Sequence, residues 1–281
     1  MLPIATFPEV HGHRGCRGLR PENTLSAFRH AVSLGVDVLE LDVVISADNQ
    51  VVVSHEPWMS ATICRTPAGE VIPTTEQARH NLYAMPYDLI RQYDCGLTRH
   101  PAYPTQVPEP AYKPLLRDVV AAADEQARRQ GRGLVRFSVE MKSTPGGDAL
   151  FHPTPAPFLA LVLAELQALG IGSRTTLLCF DKRILQQARQ VAPELPLCLL
   201  IEDEKPLGAH LAELGFVPDI VGPDFHLLTP RLVANLQEAE LDFVPWTVNE
   251  TADLRAVLAY HPRGITTDFP DRLLSLRPAF V

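Results

Sequence analysis

The chain has 281 residues, 46% of them hydrophobic and 21% charged, the composition of a globular protein with ample core material. Its formal net charge of −8 leaves no basic stripe for nucleic acid. No apolar run approaches the roughly 18 residues that a spanning helix needs. The five cysteines (Cys16, Cys64, Cys95, Cys179, Cys198) are odd in number and scattered, so neither a disulfide framework nor a zinc site is expected. The opening MLPIATFPEV carries no basic or long apolar segment. No signal peptide is therefore expected, and a reducing cytoplasm is the default compartment; an exported protein whose signal was trimmed is the alternative.

In chain order, Val10–His13 reads as a short strand ending in His13 and Arg14. Pro21-Glu22-Asn23-Thr24 then opens a helix over Leu25–Ser33, where Asn23 or Thr24 caps the first turn. A second strand, Val38–Val43, holds Glu40-Leu41-Asp42. Gln50–Ser54 follows it after only a four-residue turn, too short for a parallel crossover, so the pair is a hairpin that returns His55 to the same region. Residues 56–113 show no clear helix except over Glu76–Asn81, and a long irregular segment of this kind reads as an insertion over a functional site. Trp58, Met59, Ile63, Tyr83, Met85 and Tyr87 within it hint at an exposed apolar rim for peripheral lipid contact.

From residue 116 the pattern alternates. Helices at Leu116–Gln130, Phe158–Leu169, Lys182–Ala192 and Gly208–Leu214 separate strands at Leu134–Met141, Thr175–Phe180, Leu197–Ile201 and Asp219–Val221. Helix Pro230–Ala239, strand Phe243–Val248, helix Ala252–Tyr260, strand Gly264–Thr267 and helix Asp271–Leu276 complete the chain. Eight strands each followed by a helix predict an α/β fold of the (β/α)8 TIM-barrel type. It spans residues 1–281 as one domain, with a hairpin extension of the second strand and an inserted loop subdomain at residues 56–113.

Side chains alternate along a strand, so Glu40 and Asp42 share a face, as do Glu140 and Lys142. Three carboxylates confined at a barrel mouth repel one another unless a cation compensates. Glu40, Asp42 and Glu140 are therefore the candidate ligands of a hard divalent ion, Ca2+ or Mg2+. The competing reading is that these acids pair with Arg14 and Lys142. His13 and His55 are the candidates for acid–base work, because imidazole titrates near neutrality. Glu22 is placed to orient Arg14 or a metal-bound water, or else is a first-turn carboxylate favoured by the helix dipole. Trp246 is an aromatic wall or a core residue. Asp268, before Pro270, reads as a cap of the last helix. His11 and His226 are open between mouth and structural roles, whereas His30, His80, His100, His152, His210 and His261 read as surface residues.

The ordered set His13-Arg14-Gly15, Glu22-Asn23-Thr24, Glu40-x-Asp42, His55, Glu140-Met141-Lys142, Phe180, Trp246–Asn249 and Thr267-Asp268-Phe269-Pro270 resembles the glycerophosphodiester phosphodiesterase family. It departs in Glu56, where many members carry Asp. The resemblance implies metal-dependent hydrolysis of a small-molecule glycerophosphodiester to glycerol 3-phosphate and an alcohol. Arg14 and Lys142 would contact the phosphate, and His13 and His55 would pass protons through a cyclic phosphate. Lysophospholipase D or phosphoinositide-type phospholipase C activity, and a non-catalytic phosphodiester-binding barrel, are the alternatives. Oligomeric state is not legible in the sequence.

Overall fold

The computed structural model describes residues 7–277. The expectation of no signal peptide rests in part on residues 1–6, which lie outside the described residues. In chain order the elements begin β1 (Glu9–Gly12), α1 (Leu25–Leu34), β2 (Val38–Ile45), β3 (Val51–Val53) and α2 (Tyr87–Ile90). Then come α3 (Leu116–Arg129), β4 (Arg136–Met141), α4 (Pro155–Ala168), β5 (Thr175–Cys179), α5 (Lys182–Val191) and β6 (Leu197–Ile201). The last are α6 (Leu207–Leu214), β7 (Ile220–Pro223), α7 (Pro230–Glu238), β8 (Asp242–Phe243), α8 (Thr251–Leu258), β9 (Gly264–Thr267) and α9 (Pro270–Leu274).

Eight strands pair in parallel in the order β8-β7-β6-β5-β4-β2-β1-β9, and β3 lies antiparallel on β2. The ring closes between its ends: Arg263 N–H donates to the Phe243 carbonyl at 3.0 Å and Thr266 N–H to the Pro245 carbonyl at 3.0 Å. Pro245 has no N–H to give. That is why β8 stops after Phe243 instead of running to Val248, while the chain continues along the same path. The fold is the expected (β/α)8 barrel.

Alternation in β2 sorts its side chains. Leu39, Leu41 and Val43 enter the main core beneath the helices, leaving Glu40 and Asp42 on the opposite, inward face. Helix α1 starts at Thr24, whose side chain accepts from Ala27 N–H, and ends at Gly35 with φ 105°. It buries Ala27, Phe28, Ala31 and Val32. Gly15, at φ 85°, sits so close to α1 that a Cβ there would lie 2.8 Å from the Ala27 carbonyl carbon. Only glycine lets the turn after β1 lie against α1.

The β2–β3 hairpin forms in the expected place, pairing Val43 with Val53 and Ile45 with Val51. The inserted segment has a core of its own: Val44 and Val52 of the hairpin pack with Met59, Ile63, Ile72, Leu82, Met85 and Ile90. This corrects the apolar rim. Met59, Ile63 and Met85 are buried, and Trp58 and Tyr87 pack partly buried against them, because a hairpin face left bare would otherwise expose its valines. A disulfide joins Cys64 to Cys95, against the expectation from the odd, scattered cysteines. The helical turn predicted near residue 76 is a 3-10 turn over Gln77–Arg79.

Candidate active site

The inward faces of the strands and the loops after them line a cavity of ≈ 700 Å3. One wall carries His13, Arg14, Glu40, His55, Glu140 and Lys142. The other is apolar, with Leu178, Phe180, Leu200, Ile220, Val244 and Trp246. Trp246 donates its Nε1–H to the Gly222 carbonyl at 2.8 Å and meets Phe180 edge-on at 5.5 Å, so it offers the cavity carbon. At the entrance, Trp58 of the insertion packs on Phe151 of the β4–α4 loop at 5.2 Å, and Asn81 donates to the Leu150 carbonyl.

β2 and β4 pair with Asp42 opposite Glu140, which brings three buried carboxylates together. One oxygen each from Glu40, Asp42 and Glu140 lie within 4.8 Å of one another. Cations are interleaved with them. Lys142 Nζ donates to Glu140 at 2.6 Å and stands 3.6 Å from Asp42, while Arg14 Nε is 3.4 Å from Asp42. Arg14, at φ 48°, turns its backbone N–H onto Glu40 at 2.9 Å and its guanidinium onto Glu22 at 2.8 Å. Glu22 thus lies against Arg14, and the first turn of α1 holds no acidic residue. The acids do form ion pairs, yet Asp42 Oδ1 is buried and accepts no hydrogen bond.

Electrostatics separate the three acids. Burial, with Asp42 and Glu140 close by, pushes the Glu40 carboxyl well above the usual carboxylate range. Burial would raise Asp42 as well, but Arg14, His55, Lys142 and the Asn23 hydrogen bond outweigh it and hold it low. Glu140 is raised by burial and by Asp42 in spite of Lys142. Burial lowers the His13 imidazole to about 4 against the pull of Asp268, with Arg14 and Arg17 lowering it further. His13 Nδ1 is bound to Asp268 at 2.6 Å, and its Nε2 stands 3.8 Å from Glu40. His55 Nδ1 pairs with Glu56 at 2.8 Å.

The glycerophosphoryl diester phosphodiesterase family model matches residues 13–272. The chain belongs to this family. A glycerophosphodiester phosphodiesterase of Bacillus subtilis is 27% identical over 265 residues, covering 92% of this chain and 83% of that protein. A Silicibacter pomeroyi structure assigned to the glycerophosphoryl diester phosphodiesterases is 30% identical, with a TM-score of 0.85 over 95% of this chain and 92% of that one. An Oleispira antarctica phosphodiesterase, solved with the product sn-glycerol-3-phosphate, shares the fold at 18% identity and a TM-score of 0.73, over 96% of each chain.

Within this family member, His13, His55, Arg14, Lys142, Glu22, Glu40, Asp42, Glu140 and Trp246 are brought to one cavity or its first contacts. Several residues are placed differently from the sequence reading. Asp268 does not cap α9, whose N-cap is Phe269 without a side-chain bond; it is fully buried beneath His13. Thr24 is the cap of α1, but Asn23 donates to Asp42 at 2.9 Å. His152 and His210 are buried, not surface residues; His152 accepts from Thr144 N–H and lines the cavity. His11 is a buried partner of Glu9 that reaches the cavity floor, and His226 is held on Asp224 away from it. Arg17 and Tyr103, which carry no signal in the sequence, and Asn249, the last residue of the Trp246–Asn249 motif, all bond Asp268.

Proposed function

We propose that the protein hydrolyses glycerophosphodiesters to glycerol 3-phosphate and an alcohol, using a divalent cation, Ca2+ or Mg2+. The observation that carries this is the convergence of Glu40, Asp42 and Glu140 beside two imidazoles and Arg14 in one cavity. The donor set suits a hard ion: three carboxylates, all oxygen, with the buried Asp42 Oδ1 accepting no hydrogen bond among the described residues. With all of them ionised, the six carboxylates Glu22, Glu40, Asp42, Glu56, Glu140 and Asp268 would outnumber the four cations Arg14, Arg17, Lys113 and Lys142 by two, and the raised carboxyls of Glu40 and Glu140 are the cost of that excess without a divalent ion. When bound, the ion supplies charge neutralisation and Lewis-acid polarisation of the phosphodiester.

The side chains supply the rest. Arg14, fixed by Glu22, and Lys142 hold the phosphoryl oxygens. His13, neutral and tied through Nδ1 to Asp268, keeps Nε2 free to take the proton of the glycerol 2-hydroxyl. That oxygen bonds to phosphorus as the P–O bond to the alcohol breaks, and His55 gives the departing oxygen a proton. Water then opens the cyclic phosphate with the two proton transfers reversed. Phe180 and Trp246 cover the glycerol carbons.

The test is a panel of glycerophosphodiesters with parent, His13→Ala and His55→Ala proteins, and one substrate lacking the 2-hydroxyl. Each alanine variant should lose about 10²- to 10⁴-fold in kcat. The deoxy substrate should bind and turn over poorly; equal turnover would replace the cyclic route by direct attack of water. The apolar wall of Leu178, Leu200, Ile220 and Val244 favours a second reading, lysophospholipase D activity, and lysophospholipids belong in the same panel.

A further inference from the structure

The inserted segment does more than cover the entrance. Its residues 103–107 are stitched to the loop after β1. Gln106 Nε2 donates to the carbonyls of Arg17 (2.7 Å) and Arg20 (3.2 Å), Thr105 Oγ1 to Gly18, and Val107 N–H to Leu19. This seats Tyr103 against the buried carboxylate under His13. Asp268 Oδ1 accepts from His13 Nδ1 at 2.6 Å and Arg17 Nε at 3.1 Å. Its Oδ2 accepts from Tyr103 Oη at 2.8 Å, Asn249 Nδ2 at 2.7 Å and, more weakly, Arg17 Nη2 at 3.4 Å.

We infer that Tyr103 is a positioning residue for His13: its hydroxyl shares Oδ2 with Asn249 Nδ2 and, with it, sets the rotation of the Asp268 carboxylate, and that carboxylate fixes the imidazole. This rests on the hydrolysis proposed above. A carboxylate held on one oxygen alone swings about its Cβ–Cγ bond and carries the imidazole with it; donors on both oxygens stop the swing. Tyr103 serves a second partner as well. Its ring lies 4.9 Å from the Arg17 guanidinium, and Arg17 reaches Glu22, the anchor of Arg14, at 3.6 Å. Tyr103 is buried at 7% exposure and does not line the cavity, so it acts through Asp268 and Arg17 and not on the substrate.

The experiment is Tyr103→Phe, which keeps the ring and removes only the hydroxyl. A misplaced imidazole should lower kcat by about 10- to 100-fold, while KM stays within about twofold because no substrate contact is lost. In 15N-histidine-labelled protein without substrate, the His13 Nδ1–H resonance, assigned with His13→Gln, should shift or broaden. Combined with Asp268→Asn, the Tyr103→Phe loss should largely vanish, since both act on one chain of contacts. Unchanged kcat and resonance would overturn the inference, as would a rise in KM alone or losses that multiply. Loss of the cooperative melt would make the residue purely structural. Should the parent prove inactive on every phosphodiester, the hydrolysis reading fails, while the substrate-free resonance still decides whether Tyr103 holds His13.

Discussion

Asp268→Asn offers the sharpest perturbation of the site, because it changes the volume hardly at all and replaces one acceptor oxygen by an NH2 group. Four side chains donate to this carboxylate, two principally on each oxygen. If the NH2 takes the Oδ2 place, Tyr103 can rotate its hydroxyl to accept, but Asn249 Nδ2 faces a donor. If it takes the Oδ1 place, Arg17 Nε faces a donor and His13 must carry its proton on Nε2, where it can no longer accept one. Either arrangement also leaves Arg17 short of a buried negative partner. Arg17 keeps Glu22 at 3.6 Å, so the cost is that of a buried donor left unsatisfied, about 1–3 kcal/mol, and the melting temperature should fall. Because the tautomer or seat of His13 changes, kcat should fall by about 10²- to 10⁴-fold. Steady-state kinetics on a glycerophosphodiester, beside a thermal melt and the His13→Ala variant, measure both effects. A variant that melts early yet turns over within about threefold of the parent would refute the orienting role and return Asp268 to mere scaffolding.

Three further outcomes are expected. Glu40→Gln, Asp42→Asn and Glu140→Gln should each abolish the thermal stabilisation given by Ca2+ or Mg2+ and most activity; full activity after exhaustive chelation would contradict a metal site. Cys95→Ser opens a loop with a sequence separation of 31, and the chain-entropy account puts its destabilisation at about 3–4 kcal/mol, read as a lower denaturant midpoint that leaves reduced parent protein matching the variant. Glu9 has its carboxyl lowered to about 2: burial raises it, but the bonds from His11 and Arg136 outweigh burial. A lowered carboxyl stabilises the fold above its unfolded value of 4.5, and that stability drains as pH falls from 4.5 toward 2. Glu9→Gln should therefore flatten the acid limb of the stability profile in that window; an unchanged limb would show that the pairing contributes nothing.

Much of the barrel follows from local rules. Glu-x-Asp in β2 and Glu-x-Lys in β4 put both pairs on the inner face because strand side chains alternate, and apolar neighbours such as Leu39 and Leu41 then face the helices. The four-residue turn before Gln50 permits only a hairpin, which returns His55 to the cavity. These elements carry the metal-ligand candidates and His55, and the turn after β1 carries His13 and Arg14, so the outline of the site was legible in the chain. The length of β8 was not, since Pro245 interrupts a ladder that its apolar neighbours suggested.

What periodicity cannot supply is the meeting of residues far apart. His13 and Asp268 are separated by 255 positions and meet only because β9 closes the ring beside β1. The local sequence around Asp268, a carboxylate just before a proline, looks the same whether it caps a helix or lies under an imidazole. The place of Tyr103 and the Cys64–Cys95 bond depend on the path of an irregular segment, which has no repeating pattern to reveal its inner face. Trp58, Met59 and Met85 looked like a rim for the same reason, and turned inward because the valines of the hairpin needed covering. Sequence by itself determined which face each strand residue takes. Tertiary structure alone decided which distant side chain waits there, because ring closure and loop path are set by the whole core and not by any local stretch of it.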